Sequence, residues 1–302
     1  MTKQEEIKQL KQEKDAVLLA HYYVSPEVQE VADYIGDSFF LSKKATELSN
    51  RTLVFCGVSF MGESAKLLNP EKTVLLPDAA ADCPMAHMVS KETVEAARAK
   101  YPDLAVVCYI NSTAEIKSWS DVSVTSANAV DIVRNLPNKH ILFIPDRNLA
   151  RHVAEQVPEK EIHINEGYCP IHETMKGEEI LALKKEHPDA EVLVHPECNA
   201  KVLELADYIG STSGIIAYAE KSEKKEFIIG TEEGVSFALK QKRPDASFYF
   251  PKTTPVCVDM KKITLDNIIH VLKTGENAVA ADENTAEPAK KTLTKMLELA
   301  GK

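Results

Sequence analysis

Three cysteines recur at nearly equal distances along the chain. Cys83, Cys169 and Cys257 are 86 and then 88 residues apart, and each follows a short segment, "KTVLLPD", "KEIHINE" or "ASFYFPK". If the chain contains three copies of one unit around a pseudo-threefold axis, the three sulfur atoms meet on that axis. The remaining cysteines lack such a match, and we expect them to be buried apolar side chains. They are Cys56, Cys108 and Cys198.

Three converging thiolates favour a 4Fe–4S cluster over zinc. Structural zinc normally takes four ligands with close pairs such as C-x2-C, and the chain contains no such pair. Three cysteines and a water could hold a catalytic zinc, but three thiolates make that zinc electron-rich and a weak Lewis acid. A 4Fe–4S cluster usually takes four cysteines. Held by three, it leaves one iron open to act as a Lewis acid on a hydroxyl or carbonyl oxygen.

Polar residues end the first predicted strand of each copy. These strands lie in "KDAVLLAHYY", "YPDLAVVCYIN" and "HPDAEVLVHPE". The terminal residues, each with the residue two positions further on, are His21 with Tyr23, Tyr109 with Asn111, and His195 with Glu197. Ligands of open parallel sheets bind beyond the carboxyl ends of the strands. We therefore expect these side chains to face a ligand.

A hydroxyl follows each of these strand ends by 17 residues, at Ser38, Ser126 and Thr212. Each hydroxyl lies between a predicted short strand and a predicted helix. In that place it can cap the helix, whose free amides and positive dipole end favour an anion. We therefore expect the three hydroxyls to bind anionic groups.

The same spacing defines the units that position these residues. "ADYIG" occurs at 32–36 and at 206–210, and the middle copy, "SDVSVTSANA", keeps the positions of Asp and Ser. Each copy alternates four short apolar segments with helical ones, which is the pattern of a small parallel sheet covered on both faces. The recurring aspartates are expected to serve turns or contacts between units. They are Asp33, Asp121 and Asp207.

The predicted fold is therefore α/β, with three homologous three-layer α/β/α domains around a pseudo-threefold axis. Each domain is expected to contain a four-stranded parallel sheet. The predicted repeats cover residues 1–89, 90–173 and 174–262, and closing helices are expected over residues 263–302.

The composition argues against several classes of function. The 302 residues carry a net charge of −10 and no basic cluster, so nucleic acid is not expected as a partner. No apolar run approaches the roughly 18 residues that suggest a membrane span. The first residues, "MTKQEEIKQLKQEKD", have no apolar core of a signal peptide. We expect a cytoplasmic protein whose cysteines are reduced, buried or metal-bound.

Five motifs resemble the quinolinate synthase family of de novo NAD biosynthesis. They are "HYYVSPEVQEVADYIGDSFFLS", "VFCGVSFMGESAKLLNPEKTVLLPD", "YINSTAEIKSWSDVSVTS", "HPECNAKVLELADYIGSTSGI" and "GTEEG". The resemblance implies three homologous α/β/α domains and an oxygen-sensitive 4Fe–4S cluster bound by Cys83, Cys169 and Cys257. It also implies a transferase that condenses iminoaspartate with dihydroxyacetone phosphate to quinolinate, with loss of phosphate and two waters.

The resemblance also implies roles for the residues at the strand ends. Tyr23 and Glu197 are the expected proton-transfer groups, because Glu and Tyr add little as donors to an anion. Tyr109 and His195 would orient the substrate or polarise a carbonyl, and His172 would act beside the cluster. The other matched residues would bind the substrate anions. They are His21, Ser38, Asn111, Ser126 and Thr212. The cluster is expected to act as a Lewis acid and not as a redox relay.

Two other classes of function fit part of this pattern. One is a zinc- or iron-dependent aldolase or dehydratase that acts on small phosphorylated hydroxy-carbonyl compounds. The other is a non-enzymatic iron–sulfur carrier or sensor, for which the cysteines matter but Glu197 and Tyr23 do not. The family resemblance further implies a transient link to an enzyme that produces iminoaspartate.

Overall fold

The computed structural model describes residues 1–253 and 255–300, and within these ranges twelve strands form three parallel sheets. The first unit contains β1 Ala16–His21, β2 Tyr34–Gly36, β3 Thr52–Cys56 and β4 Thr73–Leu75. The second contains β5 Ala105–Tyr109, β6 Val122–Val124, β7 His140–Ile144 and β8 Glu161–Ile164. The third contains β9 Glu191–Val194, β10 Tyr208–Ile209, β11 Glu226–Gly230 and β12 Ser247–Tyr249.

Helices connect these strands and cover the sheets. Those of the first unit are α1 Lys3–Glu13, α2 Pro26–Val31, α3 Ser38–Glu47 and α4 Ser59–Leu68. The second unit has α5 Lys91–Lys100, α6 Ala114–Ser118, α7 Ala129–Asn135 and α8 Arg147–Gln156. α9 Pro170–Glu173 follows the last strand of the second unit, and the third unit has α10 Gly177–Glu186, α11 Ala200–Leu203, α12 Thr212–Lys221 and α13 Val235–Lys242. The chain closes with α14 Leu265–Thr274 and α15 Ala286–Ala300, and short 3-10 helices lie at Pro84–His87 and Met260–Lys262.

The three sheets have the same strand order. Each is built second–first–third–fourth in chain order, so the first strand of each unit lies inside its sheet and pairs with the second and third. A strand in that place is covered on both faces, which explains why "AVLLAH" and "AVVCY" are continuous apolar runs and not alternating ones. The predicted fold class is confirmed, whereas the boundaries after residues 89, 173 and 262 stay a prediction.

A repeated aspartate holds the short second strand against the first. Asp33, Asp121 and Asp207 each accept a hydrogen bond from a first-strand amide 15 residues earlier, at 2.7–2.8 Å. The backbone N–H of each aspartate also donates to the carbonyl of the residue that it contacts. The spacing of 15 residues therefore reflects a structural contact within each unit, between the first strand and the start of the second.

The C-terminal helices join the first two units. α14 packs against α1, and α15 packs against α4 of the first unit and against α6, α7 and β6 of the second. The buried hydroxyls of Ser123 and Thr292 lie 2.8 Å apart where α15 covers β6. In residues 1–253 and 255–300, no helix has the length and apolar character that a bilayer span requires.

Candidate active site

The carboxyl ends of the sheets open onto one cavity of about 200 Å³. All thirteen residues that the sequence singled out line it, although they come from three units and from positions 21 to 257. His21 and Tyr109 end β1 and β5, and His195 directly follows β9, as the spacing predicted. Parallel strands from equivalent units deliver these side chains to the same place because each sheet presents its carboxyl edge to the cavity.

The three matched cysteines lie on the loops that follow the last strand of each unit. Cys83 and Cys169 each cap a short helical turn that begins with proline, and Cys257 precedes the turn at Met260–Lys262. All three line the cavity and have free thiols. The remaining cysteines are free and fully buried, as expected for structural side chains. They are Cys56, Cys108 and Cys198.

Glu197 lies at the centre of the polar side chains. Its Oε1 accepts the hydroxyl of Tyr109 at 2.5 Å, and its Oε2 lies 2.8 Å from His172 Nδ1. The side chain is almost fully buried. Burial alone would raise the pKa of Glu197, but His195 and His172, with the hydrogen bonds from His172 and Tyr109, lower it well below its usual value. Glu197 is therefore a buried carboxylate that stays ionised.

A chain of hydrogen bonds joins Tyr23 to Glu197. The hydroxyl of Tyr23 lies 2.8 Å from Thr231 Oγ1, and that oxygen lies 3.0 Å from His172 Nε2. His172 Nδ1 faces an ionised carboxylate and donates to it, and in the neutral ring with that tautomer Nε2 accepts from the hydroxyl of Thr231. Thr231 Oγ1 in turn accepts from Tyr23. In this tautomer every hydrogen of the chain points toward Glu197, and the chain joins Tyr23 of the first unit to Glu197 of the third.

Thr231 was missed from the sequence, although it lies in "GTEEG" directly after β11. It has no counterpart among the residues matched by the 17-residue spacing, and its role depends on a tyrosine 208 residues earlier. A signal existed, because it directly follows the third strand of its unit at the carboxyl edge of the sheet. Thr231 and its neighbour Glu232 are fully buried.

His21 and His195 share one turn geometry. Nδ1 of each ring accepts the backbone N–H two residues on, from Tyr23 at 3.2 Å and from Glu197 at 3.3 Å. Nδ1 is therefore unprotonated, and Nε2 carries the hydrogen. Burial lowers the pKa of both imidazoles to about 3, so they are neutral near pH 7. Each ring presents a neutral N–H donor, and that of His195 points at Ser126 Oγ, 3.2 Å away.

None of the three hydroxyls serves as the cap of its helix, although the sequence allowed that role. Asp37 caps α3 and Ser211 caps α12, so Ser38 and Thr212 are the first helical residues. Ser126 lies ahead of the α7 cap and bonds to His195 instead. A cap needs extended backbone one residue before the helix, and the chain places that conformation at the preceding residue in α3 and α12. The three hydroxyls nevertheless line the cavity.

Asn111 presents an unpaired polar atom at the cavity. Its Oδ1 is buried and has no hydrogen-bond partner within the described chain. A buried polar atom without a partner is costly. The amide is therefore suited to hydrogen-bond with a ligand in the cavity.

One group of donor atoms is arranged as a metal site. Cys169 Sγ, a ring nitrogen of His172 and a carboxylate oxygen of Glu197 all lie within 4.8 Å of one another. His172 Nδ1 is 3.2 Å from Cys169 Sγ. Sulfur, imidazole and carboxylate atoms so close together fit a metal cofactor.

Comparison with known proteins agrees with this arrangement. The family model described as "Quinolinate synthetase A protein" matches residues 5–298. The quinolinate synthase of Clostridioides difficile strain 630 is 50% identical over 295 residues, which are 98% of this chain and 97% of that protein. That of Fusobacterium nucleatum is 52% identical over 98% of both chains. Quinolinate synthase 2 of Methanosarcina acetivorans is 48% identical over 98% of this chain and 96% of that protein. The chain therefore belongs to the quinolinate synthase family.

Proposed function

We propose that this chain condenses iminoaspartate with dihydroxyacetone phosphate to form quinolinate, with loss of phosphate and two waters. The observation that carries this proposal is the hydrogen-bonded chain Tyr23–Thr231–His172–Glu197–Tyr109, which runs through all three units beside Cys169. A condensation with dehydration must take protons from the substrates and return them. A buried relay between two tyrosines and an ionised carboxylate is suited to that task.

The cavity supports anionic substrates without fixed positive charge. Within the described residues, its lining contains neither lysine nor arginine. The carboxylates and the phosphate would therefore bind to neutral donors, in agreement with the neutral N–H groups of His21 and His195. The hydroxyls and the amide side chain that complete this set are Ser38, Ser126, Thr212 and Asn111.

The acid and base roles follow from the state of each group. Glu197 is ionised and can accept a proton, whereas burial, and then the charge of Glu197, raises the pKa of Tyr23 and Tyr109 and keeps both phenols protonated. In the tautomer given above, the hydrogens of the relay point toward Glu197, so a proton that the Tyr23 oxygen accepts from the substrate can pass through Thr231 and His172 to Glu197 Oε2. Tyr109 holds Oε1 of Glu197 in place, and the neutral N–H of His195 is suited to polarise a substrate carbonyl.

The three cysteines fit a 4Fe–4S cluster. They are unpaired, come one from each unit and line the same cavity. Desolvation raises the pKa of each thiol, so the thiols are protonated without a metal, and metal binding would release those protons. Cys83, Cys169 and Cys257 would hold the cluster, which when bound would supply a Lewis-acidic iron for a substrate oxygen.

A single metal ion, as in an aldolase or dehydratase, is favoured by one observation, the group formed by Cys169, His172 and Glu197. In that arrangement the ion would compete for atoms already in use. Both oxygens of Glu197 and both nitrogens of His172 have partners in the relay. The relay also argues against a carrier or sensor, which needs no acid and base beside its cysteines.

The cellular context is part of the same proposal. Three thiols that bind a metal must stay reduced, which is the normal state of cytoplasmic cysteines. An imine such as iminoaspartate hydrolyses in water, so direct transfer from the enzyme that produces it would protect it. That transient link, and the cytoplasmic location, remain predictions.

The test is an anaerobic assay on the purified full chain. Iron and acid-labile sulfide are expected in a cluster ratio, and quinolinate should form from the two substrates. Cys257→Ala should lose both the cluster and the activity. Cys198→Ala is the matched control, because Cys198 is buried away from the cavity lining, and it should keep both. A colourless protein with stoichiometric zinc and no sulfide would contradict the cluster, and absence of quinolinate would contradict the reaction.

A further inference from the structure

The backbone N–H of each matched cysteine donates to a carboxylate. Cys83 N lies 2.8 Å from Asp82 Oδ1, Cys169 N lies 3.1 Å from Asp146 Oδ2, and Cys257 N lies 3.1 Å from Glu232 Oε1. Asp146 and Glu232 are fully buried. In each of the three units, the backbone N–H of the matched cysteine therefore donates to a carboxyl oxygen.

Asp146 ties the second cysteine to a strand end and a helix. It lies two residues beyond β7 and caps α8, where its Oδ1 accepts the N–H of Leu149 at 2.6 Å. Its other oxygen accepts from Cys169. Both oxygens are thus committed as acceptors.

Glu232 has the same place in the third unit, two residues beyond β11. Its Oε2 accepts the N–H of Gly234 at 2.6 Å, and its Oε1 accepts from Cys257 and from Lys261 Nζ, the latter at 2.8 Å. Lys261 Nζ also donates to the carbonyl of Tyr23 at 2.8 Å. The carboxylate therefore fixes the third cysteine loop to β11 and, through Lys261, to the first unit.

In the first unit, a residue at a different sequence position accepts the hydrogen bond from the cysteine N–H. Two residues beyond β3 the chain has Val58, which cannot accept a hydrogen bond. The acceptor is instead Asp82, directly before the cysteine, and Ser59 at the β3 end donates its hydroxyl to the same oxygen. The backbone N–H of Ser59 donates to Ala81 at 2.9 Å. The cysteine loop is again tied to the end of the third strand, although the sequence position has changed.

We infer that Asp82, Asp146 and Glu232 are positioning residues that fix the backbone of the three cysteines and so direct their thiols to a common metal group. The inference rests on the cluster proposed above. Each of these hydrogen bonds is made to a carboxyl group that other donors also hold in place, and it restricts the backbone torsions of the cysteine that donates. Residues that orient metal ligands typically change metal affinity about 10- to 100-fold when they are replaced.

The three carboxyl groups differ in which of their oxygens accept a backbone N–H, and this difference lets matched variants test the inference. Asp146→Asn and Glu232→Gln keep the shape but replace one acceptor oxygen with an NH₂ group. Either the cysteine N–H or the N–H at the strand end then loses its partner, and in both cases the side chain no longer ties the cysteine loop to the strand end. Asp82→Asn differs, because Oδ1 alone serves Ser59 and Cys83, and Oδ2 faces His87 Nε2 at 2.7 Å. An amide can keep its oxygen toward Ser59 and Cys83 and donate to the imidazole. Asp82→Asn is therefore the conservative variant, because it retains the hydrogen bonds from Ser59 and Cys83.

The experiment follows the visible absorption of the full chain carrying its cluster while an iron chelator is added anaerobically. Cluster loss should be about tenfold faster in Asp146→Asn and in Glu232→Gln, and within about twofold of wild type in Asp82→Asn. Ser90→Ala controls for general destabilisation, because it removes the cap of α5 on a helix that carries no cysteine ligand, and it should leave the rate unchanged.

Two results would overturn the inference while the cluster proposal stands. One is a wild-type rate of cluster loss in Asp146→Asn and Glu232→Gln, and the other is an equal acceleration in Ser90→Ala. Thermal unfolding of the metal-free proteins measures the purely structural part of each change, and faster cluster loss at an unchanged unfolding midpoint supports positioning. A wild-type protein without iron and sulfide would overturn both proposals.

Discussion

The first two units and the third unit are held in the molecule in different ways. One apolar core runs through the first two, with Leu53 and Phe55 from the first, Val107 and Phe143 from the second and Leu293 from α15. A smaller cluster lies on the other face of the second sheet. The third unit has separate cores on the two faces of its own sheet. Its described contacts with the first unit include polar ones, at Tyr23, Gln29 and Lys261.

The hydrogen-bonded relay lies at the polar contacts between the third unit and the first two. Glu197 and Thr231 belong to the third unit, and their partners Tyr109 and Tyr23 come from the second and first. Apolar packing is non-directional and tolerates small shifts, whereas hydrogen bonds fix atoms to a few tenths of an ångström. The third unit is thus held against the others by the same groups that are proposed to do the chemistry.

The largest expected effect is that of Glu197→Gln, which removes the charged centre of the contact between the second and third units. Quinolinate formation should fall about 1,000-fold, because the amide cannot accept a proton. Iron and sulfide content should stay at the wild-type level. An activity within tenfold of wild type would remove Glu197 from the acid–base chemistry.

Leu293→Ala compared with Ile229→Ala tests whether the two regions have separate cores. Both side chains are fully buried, and each loss should cost about 3 kcal/mol. The single tryptophan, Trp119, packs against the smaller apolar cluster of the second unit, so its fluorescence reports on unfolding of the first two units in urea. Leu293→Ala should lower the midpoint of the fluorescence transition. Ile229→Ala should lower the circular-dichroism midpoint and leave the fluorescence midpoint near wild type, and an equal shift in both probes would contradict separate cores.

Tyr23→Phe cuts the relay between the first and third units. The variant loses the hydroxyl that bonds to Thr212 and Thr231, and kcat should fall about 100-fold with a much smaller change in KM. Tyr22→Phe is the matched control, because Tyr22 is the adjacent tyrosine and does not line the cavity. It should stay within about twofold of wild type. Equal losses in the two variants would indicate a structural role for this loop.

Gly234→Ala should have the smallest effect of the four and tests the fit between the first and third units. A Cβ at Gly234 would lie 2.6 Å from the carbonyl oxygen of Tyr22 and 2.8 Å from Tyr23 Cα, so the backbones must separate. A small displacement of Tyr23 from Thr231 should lower kcat about tenfold. Gly214→Ala is the control, since its Cβ meets the tip of the Tyr208 side chain. A wild-type rate for Gly234→Ala would show that this close approach is not needed.

Much of the site could be predicted because the repeated spacings join residues that are close together in the sequence. The offset from His21 to Ser38, or from Asp33 to the strand it contacts, spans one strand–helix step, and such steps recur in all three units. The sequence did not show which residue caps each helix, because that depends on the backbone conformation of a single residue at the start of α3 and α12. A one-residue difference of this kind is below what residue type and spacing can resolve.

The sequence by itself determined the three units, their parallel sheets and the cavity residues, because equal spacing and apolar strands are properties of neighbouring residues. Only the tertiary structure decided which of these residues touch. Tyr109 meets Glu197 across 88 positions and Tyr23 meets Thr231 across 208. The sequence also did not reveal the carboxylates that accept from the cysteine N–H groups. Asp146 and Glu232 lie 23 and 25 positions from their cysteines. In the first unit the matching position is Val58, and Asp82 accepts the hydrogen bond instead. Such partners are chosen by how the units pack, and packing is a property of the folded chain.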